Sequence, residues 1–185
     1  MRNLLKPVLI TGMKHCGKSS VGKQLSEIFN ISFYDMDSLL EDIYQKENSK
    51  KLSSREIYKE GRDVFQNYEK ISAEKLSLKS ENSILVSAAG GGLCDNEKAV
   101  KILKPSFLFI YIEEKADILF ERIIAKGIPA FLSPENPYKD FLELYKKRTN
   151  IYNSLSDIKI SACGKNIPEL CVLTANKLVE EDYAR

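Results

Sequence analysis

The run Gly12-Met13-Lys14-His15-Cys16-Gly17-Lys18-Ser19 constrains this chain more than any other stretch. It fits the pattern G-x-x-x-x-G-K-[ST], which works where a strand feeds directly into a helix. Glycines let successive backbone N–H groups converge on phosphate oxygens, and the helix N-terminus adds partial positive charge. The lysine reaches the terminal phosphates, and the hydroxyl that follows it ligates Mg²⁺. Both flanks comply: Val8-Leu9-Ile10-Thr11 is an apolar run suited to a buried strand, and a helical pattern continues to about Phe29. Nucleotide phosphates are therefore expected on Gly12, Lys14, His15, Cys16, Gly17, Lys18, Ser19 and Ser20, with Ser19 as a metal ligand. His15 and Cys16 are expected to act through their backbone N–H groups. Cys16, beside a helix N-terminus, is also expected to have a lowered thiol pKa and to be open to oxidation or alkylation.

Strand-like and helical runs alternate along the rest of the chain. Ile31–Tyr34 reads as a second strand ending at Asp35, and Leu39–Tyr44 as helix. Lys46–Ser54 is a polar break. A helix over Arg55–Lys59 stops at Gly61, and a longer one follows with Val64, Tyr68, Ile71 and Leu76 at helical spacing. Ser83–Ser87 is a third strand running into Gly90-Gly91-Gly92, and Phe107–Ile112 a fourth, apolar enough to be buried on both faces. A helix over Ala116–Ala125, a loop over Lys126–Tyr138, a helix over Phe141–Leu155, a strand over Ile158–Ile160 and a last helix over Ile167–Glu180 complete the pattern. Such alternation implies βαβ units and a parallel sheet, an α/β fold. With no repeat or linker, one domain over residues 1–185 is expected.

Composition excludes several other classes. With 28 Lys plus Arg against 26 Asp plus Glu, the net charge of +2 gives no nucleic-acid coat, and no apolar run approaches a membrane span. The four cysteines contain no C-x-x-C pair and His15 is the only histidine, so neither a zinc site nor a disulfide framework is expected. A reducing cytoplasm, no secretory leader, no nucleic-acid or membrane partner and a monomer follow as expectations.

Two further features sit at strand ends. In parallel α/β sheets ligands bind beyond the carboxyl ends of the strands, the edge that also carries the phosphate loop. Asp35-Met36-Asp37 places two carboxylates there: one to hold a water of the metal's shell, the other to accept a hydrogen bond from an attacking hydroxyl. The alternative for Asp37 is a helix cap. Gly90-Gly91-Gly92 permits close backbone approach to a ligand; the alternative is a flexible turn.

In this order and spacing, these features resemble the shikimate kinase family, P-loop proteins similar to nucleoside-monophosphate kinases. The likeness spans nearly the whole chain. It includes Val21-Gly22, Glu41, the stretch Ile57, Gly61, Phe65 and Glu69, the run Phe109–Ile112, and Arg148-x-x-x-Tyr152. The resemblance implies a three-layer, five-stranded parallel sheet of order 2-3-1-4-5 with helices on both faces. It also implies a substrate-binding segment at about 36–70, a lid at about 126–138, and ATP and Mg²⁺ as cofactors. Carried over, Lys18 and Asp37 are catalytic, Asp35 joins Ser19 at the metal, and Gly90, Gly91, Gly92, Asp37 and Arg148 hold shikimate, Arg148 by its carboxylate.

Two positions depart from the family pattern. Gln66 stands where the family has an acceptor-binding arginine, and Ile128-Pro129-Ala130-Phe131 replaces the Arg-Pro-Leu-Leu of the lid. Arg62, one helical turn before Gln66, is the expected substitute at the acceptor, and Lys126 a candidate for the lid. Ser161–Lys165 is a candidate adenine loop by position. The expected activity is phosphorylation of the shikimate 3-hydroxyl in aromatic amino acid biosynthesis. The alternatives are a kinase of the same fold acting on another hydroxy acid or sugar such as gluconate, and a nucleotide-binding regulatory protein without turnover.

Overall fold

The computed structural model describes residues 3–125, 127–129 and 132–185. Five strands form one parallel sheet in the order β2-β3-β1-β4-β5: β1 (Val8–Thr11), β2 (Ser32–Asp35), β3 (Leu85–Ala88), β4 (Leu108–Glu113) and β5 (Ile158–Ser161). Val8 pairs with Val86 on one side and with Leu108 on the other, so β1 is central. Every residue of β1 and β3 is buried, as expected of a sheet covered on both faces.

The side-chain period of two divides β1 between two cores. Val8 and Ile10 face α1 (Lys18–Phe29) and α8 (Ile167–Glu180), packing with Val21, Leu25, Leu170 and Leu178. Leu9 faces the opposite side, where Ala73 and Leu76 of α4 (Arg62–Asn82) meet Val100 and Leu103 of α5 (Glu97–Leu103). The expected three layers are present. A third cluster of Leu40, Tyr44 and Ile57, with Leu52, Phe65 and Tyr68 against it, joins α2 (Met36–Asn48) and α3 (Ser54–Glu60) to the start of α4. α6 (Ala116–Ile124) and α7 (Pro137–Leu155) follow β4.

Several boundaries differ from the sequence reading. The polar break begins only after Asn48, because Asn48 Nδ2 donates to the Tyr44 carbonyl and to the Tyr68 hydroxyl and so closes the end of α2. α7 starts at Pro137, whose fixed φ suits a first helical turn. On α4 the buried stripe is Glu69, Ser72, Ala73 and Leu76, while Val64 is exposed. A 3₁₀ turn at Leu93–Asp95 and helix α5 fill a stretch for which no element was expected.

β1 and β3 are neighbours whose outgoing connections run in opposite directions, β1 toward β2 and β3 toward β4. That divergence opens a crevice at their carboxyl ends, where both glycine-rich loops lie. Ile10→Ala, at the centre of β1, is expected to lower stability by about 2–5 kcal/mol, read by urea unfolding with an unchanged m-value.

Candidate active site

The loop from Gly12 to Ser19 passes so close to β4 that Gly12, at φ 139°, has no room for a side chain: a Cβ would lie 2.6 Å from the Ile112 carbonyl oxygen. Its residues from Lys14 onward line a cavity of about 900 Å³, within the range of small-molecule sites. Lys18, 8% exposed, donates from Nζ to the Met13 carbonyl at 2.9 Å, which holds the ammonium against the loop. Ser20 also lines the cavity. Cys16 departs from expectation. It is 2% exposed, and burial pushes its thiol pKa up despite the nearby Lys18, so it is poorly placed for oxidation or alkylation.

Asp35 joins this loop to the next strand. Ser19 Oγ donates to Asp35 Oδ2 at 2.6 Å, and the Asp37 N–H donates to Asp35 Oδ1 at 3.0 Å. Asp35, rather than Asp37, is the cap of α2, which leaves the Asp37 carboxylate available to the cavity it lines. Burial, the neighbouring Asp35 and Glu41 push the Asp37 carboxyl above the usual range, against the pull of Lys18 and Lys14. A Cβ on Gly90 would stand 2.8 Å from Asp37 Oδ1 and one on Gly91 2.9 Å from the Lys14 backbone nitrogen, so the triple glycine is packed against both loops.

Arg148 reaches the same place from α7. Its Nε and Nη2 donate to Asp95 Oδ2 at 3.0 and 2.8 Å, and Nη1 donates to the Gly91 carbonyl at 3.0 Å. Lys147 stands 3.3 Å from the other Asp95 oxygen. Burial alone would raise the Asp95 carboxyl, but the two cations hold it below the usual range. Glu69, 4% exposed, lies beneath the triple glycine and accepts from Asn96 Nδ2 at 2.9 Å. Burial lifts its pKa to about 7, with Asp37 and Asp95 adding to the rise and Asn96 and Arg148 opposing it.

The structure does not bring together every expected residue. Gln66 is turned away from the cavity, its Nε2 donating to the Asp95 carbonyl at 3.2 Å. Arg62 is exposed and does not line the cavity either, so the expected substitution by Arg62 is not supported by the geometry. Arg62 shares a helix face with Gln66 and the buried Glu69, but as the first residue of α4 it stands at the exposed end of that face. Lys126, Ala130 and Phe131 of the expected lid lie outside the described residues, while Gly127 and Pro129 line the cavity. Lys165 of the candidate adenine loop lines it too, with Asn166 and Ile167.

Two arginines of the cavity escape the sequence reading. Arg55 lines it from the first turn of α3. Arg122 lines it from α6, donating to the His15 carbonyl at 3.0 Å and pairing with the buried Glu114 at 3.4 Å. A signal for Arg122 is present in the chain, since it is the only arginine between Arg62 and Arg148. The lid tetrapeptide begins at Ile128, beyond the helix-borne cation that sits at the phosphate loop.

A phosphate loop beside an acidic pair, facing a second glycine loop and an arginine across one crevice, defines a small-molecule phosphotransferase of the P-loop type. The chain belongs to the shikimate kinase family: the family model described as "Shikimate kinase" matches residues 14–179. A shikimate kinase from Persephonella marina is 32% identical over 163 residues, 88% of this chain and 92% of that one. Among solved structures, the shikimate kinase from Aquifex aeolicus superposes with a TM-score of 0.74 at 26% identity, covering 95% of this chain and 98% of that one. The shikimate kinase from Acinetobacter baumannii in complex with shikimate gives 0.82 at 21% identity, covering 96% and 94%.

Because the Glu69 carboxyl rises from 4.5 to about 7 on folding, its ionisation opposes the fold. The Glu69 contribution is not unfavourable below about pH 4.5, grows more destabilising as pH rises, and levels off above about pH 7, a loss of stability on the order of 3 kcal/mol. Glu69→Gln is expected to flatten that decline, measured by urea unfolding at pH 5 and pH 7.5.

Proposed function

We propose that this protein transfers the γ-phosphoryl group of ATP to the 3-hydroxyl of shikimate, acting as a monomeric cytoplasmic enzyme of one domain. Its substrate-binding segment is about 36–70 and its lid about 126–138. The observation that carries the reading is the line Ser19–Asp35–Asp37, which runs from the phosphate loop to a carboxylate facing Gly90. Support for the acceptor comes from the relatives, which are named shikimate kinases, and from the Acinetobacter baumannii protein, solved with shikimate. Among the described residues no helix is long and apolar enough to cross a membrane.

In this reading the amides from Lys14 to Ser20 hold the phosphates of ATP, with Lys18 offsetting charge on the β/γ oxygens. Arg122 and Lys165 serve the nucleotide, and the acceptor lies between Asp37, the triple glycine and Arg148. The Asp37 carboxylate orients the acceptor hydroxyl and takes its proton as the new O–P bond forms and the bond from phosphorus to the ADP oxygen breaks. A raised Asp37 pKa suits that task, since it strengthens the base. The donor set fits Mg²⁺: one hydroxyl, with Asp35 at 2.6 Å behind it, suits a cation that keeps most of its waters and binds substrate phosphates. Ser19, with Asp35 behind it, would hold the metal, whose charge would offset that of the phosphates.

A coupled assay of ADP release tests the reading. Release that depends on shikimate is expected. Release with gluconate and none with shikimate would assign a different acceptor, and nucleotide binding without turnover on any acceptor would make this a regulatory protein. Lys18→Ala is expected to lower kcat by about 10²–10³. Asp37→Asn is expected to lower kcat by about 10²–10⁴, with stability at pH 7 unchanged or higher, because burial and Asp35 make ionisation of Asp37 oppose the fold.

A further inference from the structure

The acceptor side of the cavity has an arginine that neither the family pattern nor the spacing along α4 pointed to. We propose that Arg55 is the second acceptor-binding cation of this protein, the residue that meets the acceptor's carboxylate together with Arg148. The assignment rests on the reading that the acceptor is an anionic hydroxy acid.

Three observations carry it. The amide of Gln66 is committed to the Asp95 carbonyl and Arg62 lies outside the cavity, so α4 supplies no cation to the acceptor. Arg148 presents only part of its guanidinium, since one edge is held by Asp95 and Nη1 is engaged by Gly91. A planar fork has five N–H donors, and three are already used. Arg55 alone adds a cation from α3, and it makes no hydrogen bond or ion pair among the described residues.

The local fold sets Arg55 in place. Ser53 caps α3, its side chain and Glu56 bonding reciprocally, and the Ser54 N–H donates to Glu41 Oε1 at 2.6 Å. Ile57, fully buried against Leu40 and Tyr44, anchors the other side of the helix. Ser54 and Tyr58 flank Arg55 on the cavity wall, and Phe65 and Glu69 continue that wall from α4. A guanidinium on a pinned turn, on the side of the helix away from the buried Ile57, can meet a carboxylate in the bidentate geometry that a lysine lacks.

The test compares steady-state kinetics for Arg55→Ala, Arg55→Lys, Lys59→Ala and Arg62→Ala, with shikimate and with its uncharged methyl ester. For Arg55→Ala the KM for shikimate is expected to rise at least about tenfold, with the KM for ATP within about twofold of wild type. Preference for shikimate over the ester is expected to shrink by a similar factor, and Arg55→Lys to recover part of it. Lys59→Ala, which removes the same charge from the same helix outside the cavity, controls for long-range electrostatics and is expected to leave both values unchanged. An unaltered preference in Arg55→Ala, or a loss carried by Arg62→Ala instead, overturns the assignment while the acceptor reading stands. A wild-type protein that fails to turn over shikimate overturns both.

Discussion

The Asp35 carboxylate is the joint on which the site depends. One oxygen accepts from the Ser19 hydroxyl at 2.6 Å and the other from the Asp37 amide at 3.0 Å. A single side chain thereby fixes the start of α1 relative to the start of α2. It sets the hydroxyl that follows the phosphate-binding lysine, and it turns the next carboxylate into the cavity. Had Asp37 been the cap, its oxygens would be occupied by backbone N–H groups and its basicity lowered. A cap at Asp35 frees Asp37 while satisfying the helix end, so local helix chemistry and catalysis do not compete.

A similar division of labour operates across the crevice, with a different result for the acceptor. Asp95 takes one edge of the Arg148 fork through its side chain and the Gln66 amide through its carbonyl. Charge-assisted pairing at both oxygens, with Lys147 at the second, keeps Asp95 ionised and Arg148 fixed. The anchoring that orders Arg148 thus comes from a resident carboxylate. The neutral amide of Gln66 is satisfied by the Asp95 carbonyl and takes no share of that carboxylate. Recognition of an acceptor's charge is then left to the free edge of Arg148 and to cations from other elements.

Residues contiguous in sequence at the end of a strand are legible from the chain alone: the phosphate loop, Asp35-x-Asp37 and the triple glycine stand out by local spacing, and the fold brings them together. The fold is legible for a similar reason, since β1, β3 and β4 are apolar runs and α8 runs over the expected residues. What escapes depends on contacts distant in the chain. Arg122 meets His15 across 107 positions, and Arg148 meets Asp95 across 53. Helix periodicity places Arg62 on the face of Gln66 and of the buried Glu69, Ala73 and Leu76, yet it is the first residue of α4, beyond the end of the stripe that packs inward. Helix α5 escapes although α3, equally short, is legible from its stop at Gly61; α5 buries only Ala99, Val100 and Leu103 and ends at Lys104 with no glycine to mark it.

Cations outnumber carboxylates along the walls of the cavity. Asp37 and Glu69 are carboxyls whose ionisation burial opposes, while Lys14, Lys18, Arg55, Arg122, Arg148 and Lys165 line the same walls. Ion pairs settle part of this charge: Arg122 with Glu114, and Arg148 with Asp95. Lys14, Arg55 and Lys165 form no ion pair among the described residues. Positive groups that remain unpaired in a concave site raise the local concentration of anions and speed their arrival. The neighbours of Asp37 act in opposite senses: Asp35 raises its pKa, and Lys18 with Lys14 restrains the rise. The loop that binds phosphate therefore also moderates the carboxylate that would receive the proton, so the nucleotide side and the acceptor side share one electrostatic environment.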